Sequence, residues 1–163
     1  MEYKIRVIGE NEYILLEDFL YEAIFIPKDI PAPPRDIIYK PELQVYVDDF
    51  GKRKGDLGFV AEVGNKIVGA VWVRIMNDYG HIDDKTPSFA VSLYKDYRNY
   101  GIGTALMKEM LNALNQAGYK QASLAVQKEN YAVKMYKNIG FEIIGENEAE
   151  YIMLYKFNGG TNG

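Results

Sequence analysis

The residue types able to do chemistry cluster at one strand-to-helix crossing. Ser88-Phe89-Ala90-Val91-Ser92-Leu93 reads as a short apolar strand, and Tyr94 to Tyr100 turns out of it. Arg98, Gly101 and Gly103 then form an R-x-x-G-x-G pattern that opens directly into a helix. Glycines there let the backbone approach a ligand with no Cβ in the way. The first N–H groups of a helix have no acceptor inside it, and the helix dipole favours an anion against them. A diphosphate meets those terms, with Arg98 adding a planar cationic fork. By itself the pattern is short enough to be a helix start with convenient glycines. The strand before it and the apolar-striped helix after it favour the phosphate reading.

The rest of the chain must position that loop. Tyr3 to Val7 alternates as an opening strand, with Ile5 and Val7 on one face. Asn11 to Phe25 reads as helix, with Ile14, Leu15, Phe19, Ala23 and Ile26 at helical spacing and Asn11 as its cap. Pro27 stops it, and Pro31, Pro33 and Pro34 keep the following stretch a loop. Pro41 opens a short helix expected over Glu42 to Phe50. Gly51 to Asp56 is a polar turn whose basic run reads as solvated. Leu57–Val63 and Lys66–Met76 alternate about Gly64-Asn65, a hairpin signal. The second of these strands is expected to put Ile67, Val71, Val73 and Ile75 on one face, and Val68, Trp72 and Arg74 on the other.

Asn77 to Pro87 is a polar loop carrying Tyr79, His81, Asp83 and Asp84. Beyond the phosphate-loop candidate, Ile102, Ala105, Leu106, Met110, Ala113, Leu114 and Ala117 line one helix face, and Gly118 ends it. Ala122 to Val126 is a strand. Asn130 caps a helix running to Ile139, Gly140 closes it, and Phe141–Ile144 and Glu150–Tyr155 are the last strands. A strand-helix-strand unit requires parallel pairing, whereas hairpins require antiparallel pairing. The expected fold is therefore α/β (α+β mixed): one domain over 1–157, with a mixed, mostly antiparallel sheet of about seven strands and helices on both faces. The last residues, 158–163, are expected to be a flexible tail.

Composition bounds the function. A chain of 163 residues, 48% of them hydrophobic, builds one domain with a real core. A net charge of −4 argues against a nucleic-acid binder and leaves room for a cationic substrate. There is no cysteine, which excludes disulfides and fits a reducing cytoplasm. Met1 to Ile5 has no apolar signal core, and no stretch is long enough to span a bilayer. One histidine and no cysteine leave a metal hydrolase without a ligand set, so no metal is expected. A dinucleotide fold needs G-x-G-x-x-G, but Leu106 stands three beyond Gly103, and repeated β-α-β halves are lacking.

The element order and two segments resemble the GNAT superfamily of acyl-CoA-dependent N-acetyltransferases. Tyr97-Arg98-Asn99-Tyr100-Gly101-Ile102-Gly103-Thr104 is similar to its pyrophosphate loop. Asn130 through Ala132 and Tyr136 to Gly140-Phe141 is similar to its N-x-x-A-x-x-x-Y-x-x-x-G-F segment, with one residue rather than two between Asn130 and Ala132. The N-terminal third matches only in element order. The resemblance implies acetyl-CoA as cosubstrate and a primary amine as partner, on a small molecule or a peptide or protein N-terminus. It implies that Val91-Ser92-Leu93 splays from Leu124-Ala125-Val126, with pantetheine paired to backbone groups of Val91 and Leu93. Leu93 N–H would polarise the acetyl carbonyl. The pyrophosphate would rest on the amides of Asn99, Tyr100, Gly101, Ile102, Gly103 and Thr104, beside Arg98. Asn130 would hold the pantetheine arm, and Tyr136 would bring its hydroxyl to the thioester sulfur, protonating or hydrogen-bonding the departing thiolate. Dimerisation is common in that family, but no stretch here identifies an interface.

The chain departs from the pattern in one respect that bears on mechanism. Many members carry a glutamate on the fourth or fifth strand as general base. Here Ser88 to Leu93 has no acid, Ala125 occupies the second of those places, and Glu129 lies too near the helix cap. Glu62, His81, Asp83 and Asp84 are the remaining candidates, or the amine arrives neutral. The pyrophosphate loop also carries Asn99-Tyr100 where relatives often have basic residues. A non-catalytic coenzyme A sensor or interaction domain is the alternative to an enzyme.

Overall fold

Alternation along the strands sorts side chains to two faces, and each face meets its own helices. The computed structural model describes residues 1–76 and 81–157; the expectations for Tyr79 and its neighbours at 77–80 and for a tail at 158–163 lie outside them. In chain order the elements are β1 (Lys4–Val7), α1 (Leu15–Glu22), α2 (Pro41–Gln44), β2 (Leu57–Val63), β3 (Lys66–Arg74), β4 (Ser88–Leu93), α3 (Ile102–Gln116), β5 (Gln121–Gln127), α4 (Ala132–Ile139), β6 (Glu142–Glu146) and β7 (Glu150–Lys156). They build a seven-stranded sheet in the order β1-β2-β3-β4-β5-β7-β6. Only β4 and β5 run parallel, as the α3 crossover between them demands; the other neighbours are antiparallel.

On one face Phe59, Val71, Val73, Phe89 and Leu93 pack with Leu106, Met110 and Leu114 of α3, and with Tyr136 and Phe141. On the other, Val60, Ala70 and Trp72 pack with Leu16, Phe19 and Ile38 around α1. The mixed sheet with helices on both faces is as the sequence leads one to expect.

Three local readings are corrected. The helix expected from Asn11 starts at Leu15, after a 3-10 turn over Glu10–Glu12. The Glu12 carboxylate accepts the Gly9 N–H at 2.7 Å and Arg6 at 2.8 and 2.7 Å, which tightens this turn. The helix expected over Glu42–Phe50 keeps only the turn Pro41–Gln44. Beyond it, Arg74 draws the Val45 and Asp48 carbonyls inward at 3.0 and 2.8 Å, and Asp49 and Gly51 take positive φ. In β3 the register skips Val68, pairing Glu62 with Ile67 and Ala61 with Gly69. That bulge puts Val68 beside Val71 and Val73, and Ile67 beside Trp72, the reverse of the alternation. Ile75 falls beyond the strand.

Arg74 is fully buried and anchors the long α2–β2 connection to the sheet. It pairs with Asp56 at 2.7 Å and Asp48 at 2.8 Å, and its guanidinium lies 5.4 Å from the Phe50 ring centroid. Trp72 adds an indole N–H to Tyr46 O at 3.0 Å.

Candidate active site

The site begins where the sheet comes apart. β4 and β5 keep one ladder pair, Ser88↔Ser123, and then diverge. Tyr94 N–H donates to Val68 O at 2.9 Å, which makes Gly69↔Leu93 a pair without mutual hydrogen bonds. Antiparallel ladders alternate, so Val71↔Val91 is of the same kind. The N–H and C=O of Val91 and Leu93 therefore point away from β3, into the space β5 has left. Leu93 C=O takes the Arg98 Nε–H at 3.0 Å. Val91 N–H, Val91 C=O and Leu93 N–H remain without a ladder partner among the described residues. Gly69 makes the register possible. A Cβ there would lie 2.3 Å from Leu93 Cδ2 and 3.0 Å from Ser92 O.

The loop after β4 closes one end of this gap. Asn99 and Gly101 take φ of +69° and +84°. The first bond into α3 is Ala105 N–H to Gly101 O at 3.1 Å, and no side chain caps the helix. The amides of Ile102, Gly103 and Thr104 thus have no acceptor within the helix. A Cβ built on Gly101 meets nothing within 4 Å, so this side of the loop is open. A Cβ on Gly103 would sit 3.5 Å from Leu93 Cδ1 and 3.6 Å from Met135 Sδ, so the start of α3, the end of β4 and α4 converge here. Tyr100 is 54% exposed. Arg98 is turned inward: besides Leu93 O, it reaches Glu22 Oε1 at 3.2 Å and Glu22 O at 3.4 Å. The sequence reading passed over Glu22. Its signal is an acid in the last turn of α1, against the helix dipole and with no base in that turn.

On α4, Asn130 Oδ1 accepts the Ala132 N–H at 2.9 Å and fixes the helix entry, as its sequence position suggests. Tyr136 is 8% exposed, with its ring centroid 6.0 Å from that of Phe141. Among the described residues its hydroxyl bonds to no protein group. Burial, with a smaller contribution from Tyr131, pushes the phenol well above its ordinary value of 10. A buried hydroxyl without a partner is costly and calls for one from outside the protein. A strip of unpaired strand amides, an open set of helix amides at its end and a buried phenol on α4 suit an acyl thioester carrying a diphosphate.

The base candidates are committed elsewhere. Glu62 bonds to Arg6 and pairs across to Lys4, two strands from β4. His81 Nδ1 lies 2.8 Å from Met76 O, and its Nε2 lies 3.7 Å from Asp84, which is 97% exposed. Asp83 accepts the Lys85 N–H and the Thr86 hydroxyl, both at 2.8 Å, and these bonds hold its carboxyl below the usual range. Ala125 sits on β5 opposite Ile152, and Glu129 is exposed. Among the described residues no group of three His, Cys, Asp or Glu could hold a metal, and no helix is long and apolar enough to cross a membrane.

Known proteins resemble this chain in sequence and in fold. The chain is 32% identical over 101 residues to a probable N-acetyltransferase, san, of Drosophila melanogaster, covering 60% of this chain and 53% of that protein. It is 29% identical over 92 residues to an N-alpha-acetyltransferase of Sulfurisphaera tokodaii, covering 52% of this chain and 55% of that one. It thus spans about half the length of these curated relatives. The fold matches that of the PaiA N-acetyltransferase of Thermoplasma acidophilum, solved in complex with coenzyme A. That match has a TM-score of 0.71 and 18% identity, and covers 96% of this chain and 100% of that one. Residues 21–141 match the model of the Acetyltransferase (GNAT) family, and the chain belongs to that family.

Proposed function

We propose that this protein transfers the acetyl group of acetyl-CoA to a primary amine by direct attack in a ternary complex. The favoured acceptor is the α-amine of a peptide or protein N-terminus. The observation that carries the reading is the parting of β4 from β5 beyond Ser88↔Ser123, which leaves Val91 and Leu93 backbone groups facing an open strip. The Sulfurisphaera tokodaii relative, named as an N-alpha-acetyltransferase, supports the acceptor class.

Each residue has a physical task. Val91 N–H and C=O pair with the amides of the pantetheine arm, with the Asn130 side chain beside it. The amides of Asn99, Tyr100, Gly101, Ile102, Gly103 and Thr104 face the diphosphate, aided by the α3 dipole. Leu93 N–H stands where negative charge develops on the acyl oxygen. The amine nitrogen bonds to the acyl carbon, the carbon–sulfur bond breaks, the Tyr136 phenol gives its proton to the departing sulfur, and the proton shed by the amine nitrogen goes to solvent, from which the phenolate is reprotonated. A raised phenol value keeps that proton in place through neutral and mildly alkaline pH. Arg98 acts through Leu93 O rather than as a bare phosphate fork.

The test offers acetyl-CoA with a panel of peptides bearing free N-termini, lysine side-chain amines and small amines, and follows free thiol. Transfer to a free N-terminus, lost when that terminus is blocked, is the expected result. Thiol release with small amines alone removes the acceptor assignment. The second reading, a non-catalytic coenzyme A binder, draws on Ala125 and the acid-free β4; it predicts acetyl-CoA binding with no transfer to any amine offered.

A further inference from the structure

We infer that Glu22, at the C-terminus of α1, is a positioning residue for the acetyl-CoA end of the site. It holds the Arg98 guanidinium against the Leu93 carbonyl and so sets the last peptide of β4 and the entry to the α3 loop. This inference rests on the functional reading above.

The last carbonyls of a helix have no donor within it, and the helix end carries partial negative charge. α1 places an acid there and no basic residue in its own last turn, so it needs a cation from elsewhere. Arg98, 76 residues away in sequence, supplies it, donating to Glu22 O at 3.4 Å and Oε1 at 3.2 Å. Its third bond, Nε–H to Leu93 O at 3.0 Å, points the planar guanidinium at the peptide that ends β4. A second tie runs alongside: Ser92 Oγ–H donates to Phe19 O at 2.6 Å, in a buried setting.

Three elements therefore meet at one guanidinium: α1, the end of β4 and the loop opening α3. The charge of Glu22 matters more than its bulk. Neutral glutamine would still fill the space but would hold the cation less firmly. Arg98 would then be free to swing, and the Leu93 carbonyl and the loop amides would lose their fixed setting before a ligand arrives. Because α1 packs on the face opposite α3, this link also joins the two sides of the sheet.

The test is calorimetric titration of coenzyme A, which needs no acceptor amine. Glu22→Gln is expected to weaken coenzyme A about three- to tenfold, the scale of one half-solvated charge-assisted hydrogen bond. In an Arg98→Gln background the same change is expected to have no further effect, since its route has gone. Ser92→Ala, which loosens α1 from β4 without touching Arg98, is expected to change binding by less than about twofold while lowering the melting temperature. Unchanged or tighter binding by Glu22→Gln overturns the inference. So does additivity with Arg98→Gln, or a Ser92→Ala effect as large as that of Glu22→Gln. If the unaltered protein itself ignores coenzyme A, the functional reading falls first, and the two failures are told apart by that control.

Discussion

Replacing Tyr136 with phenylalanine separates function from stability in opposite directions. The ring is kept, so no cavity opens beside Phe141. What leaves is a hydroxyl on a side chain only 8% exposed, with no protein partner among the described residues. An unpaired buried hydroxyl costs a fold about 1–3 kcal/mol. Tyr136→Phe should therefore leave the free protein more stable, by about 1 kcal/mol after relaxation. For a chain of this length that raises the melting temperature by about 2–4 °C. Turnover should fall about a hundredfold, the low end for a positioned proton donor, since a thiol of ordinary acidity already leaves fairly well. Affinity for coenzyme A should change much less than turnover.

The alkaline limb gives an independent reading. The folded phenol lies above its unfolded value of 10, so its contribution is complete below pH 10 and is lost as pH rises beyond it. Tyr136→Phe should flatten that loss. Urea titrations at pH 7 and above pH 10, with thiol release under saturating acetyl-CoA, measure all three quantities. A variant less stable than the parent would show that the hydroxyl has a partner in the free protein. Unchanged turnover would remove Tyr136 from the chemistry.

Arg74→Leu should cost about 3–5 kcal/mol in urea denaturation, because it leaves Asp56, with 1% of its side chain exposed, as an uncompensated buried charge; a loss under 1 kcal/mol would deny that this network anchors the 45–56 connection. Arg6 holds the Glu12 carboxyl down to about 2, against an ordinary 4.5. The stability this supplies is present above pH 4.5 and lost as pH falls through 2, so Glu12→Gln should lower the urea midpoint at pH 7 and leave it unchanged near pH 2. Gly101→Ala forces a side chain into φ of +84° at a strain of about 1–3 kcal/mol, and should weaken coenzyme A, whereas Gly103→Ala meets only ordinary contacts and should fold normally.

The sequence alone carried the element order, the parallel crossing at α3, the glycine loop and the Asn130-to-Phe141 segment. Those signals are local: alternation, helical spacing, proline stops and glycine at positive φ act within a few residues. Tertiary structure decided what depends on distant partners. The β3 bulge set which of Ile67 and Val68 faces α3, because register is a property of two strands together. Arg98 turned toward Glu22 and Leu93 rather than outward, because a helix end folded nearby offered bare carbonyls to a cation. The helix expected beyond Gln44 gave way because Arg74, some thirty residues on, claimed its carbonyls. The opening between β4 and β5 likewise belongs to neither strand. It exists because β5 takes its full ladder from β7 on the far side and keeps one pair with β4.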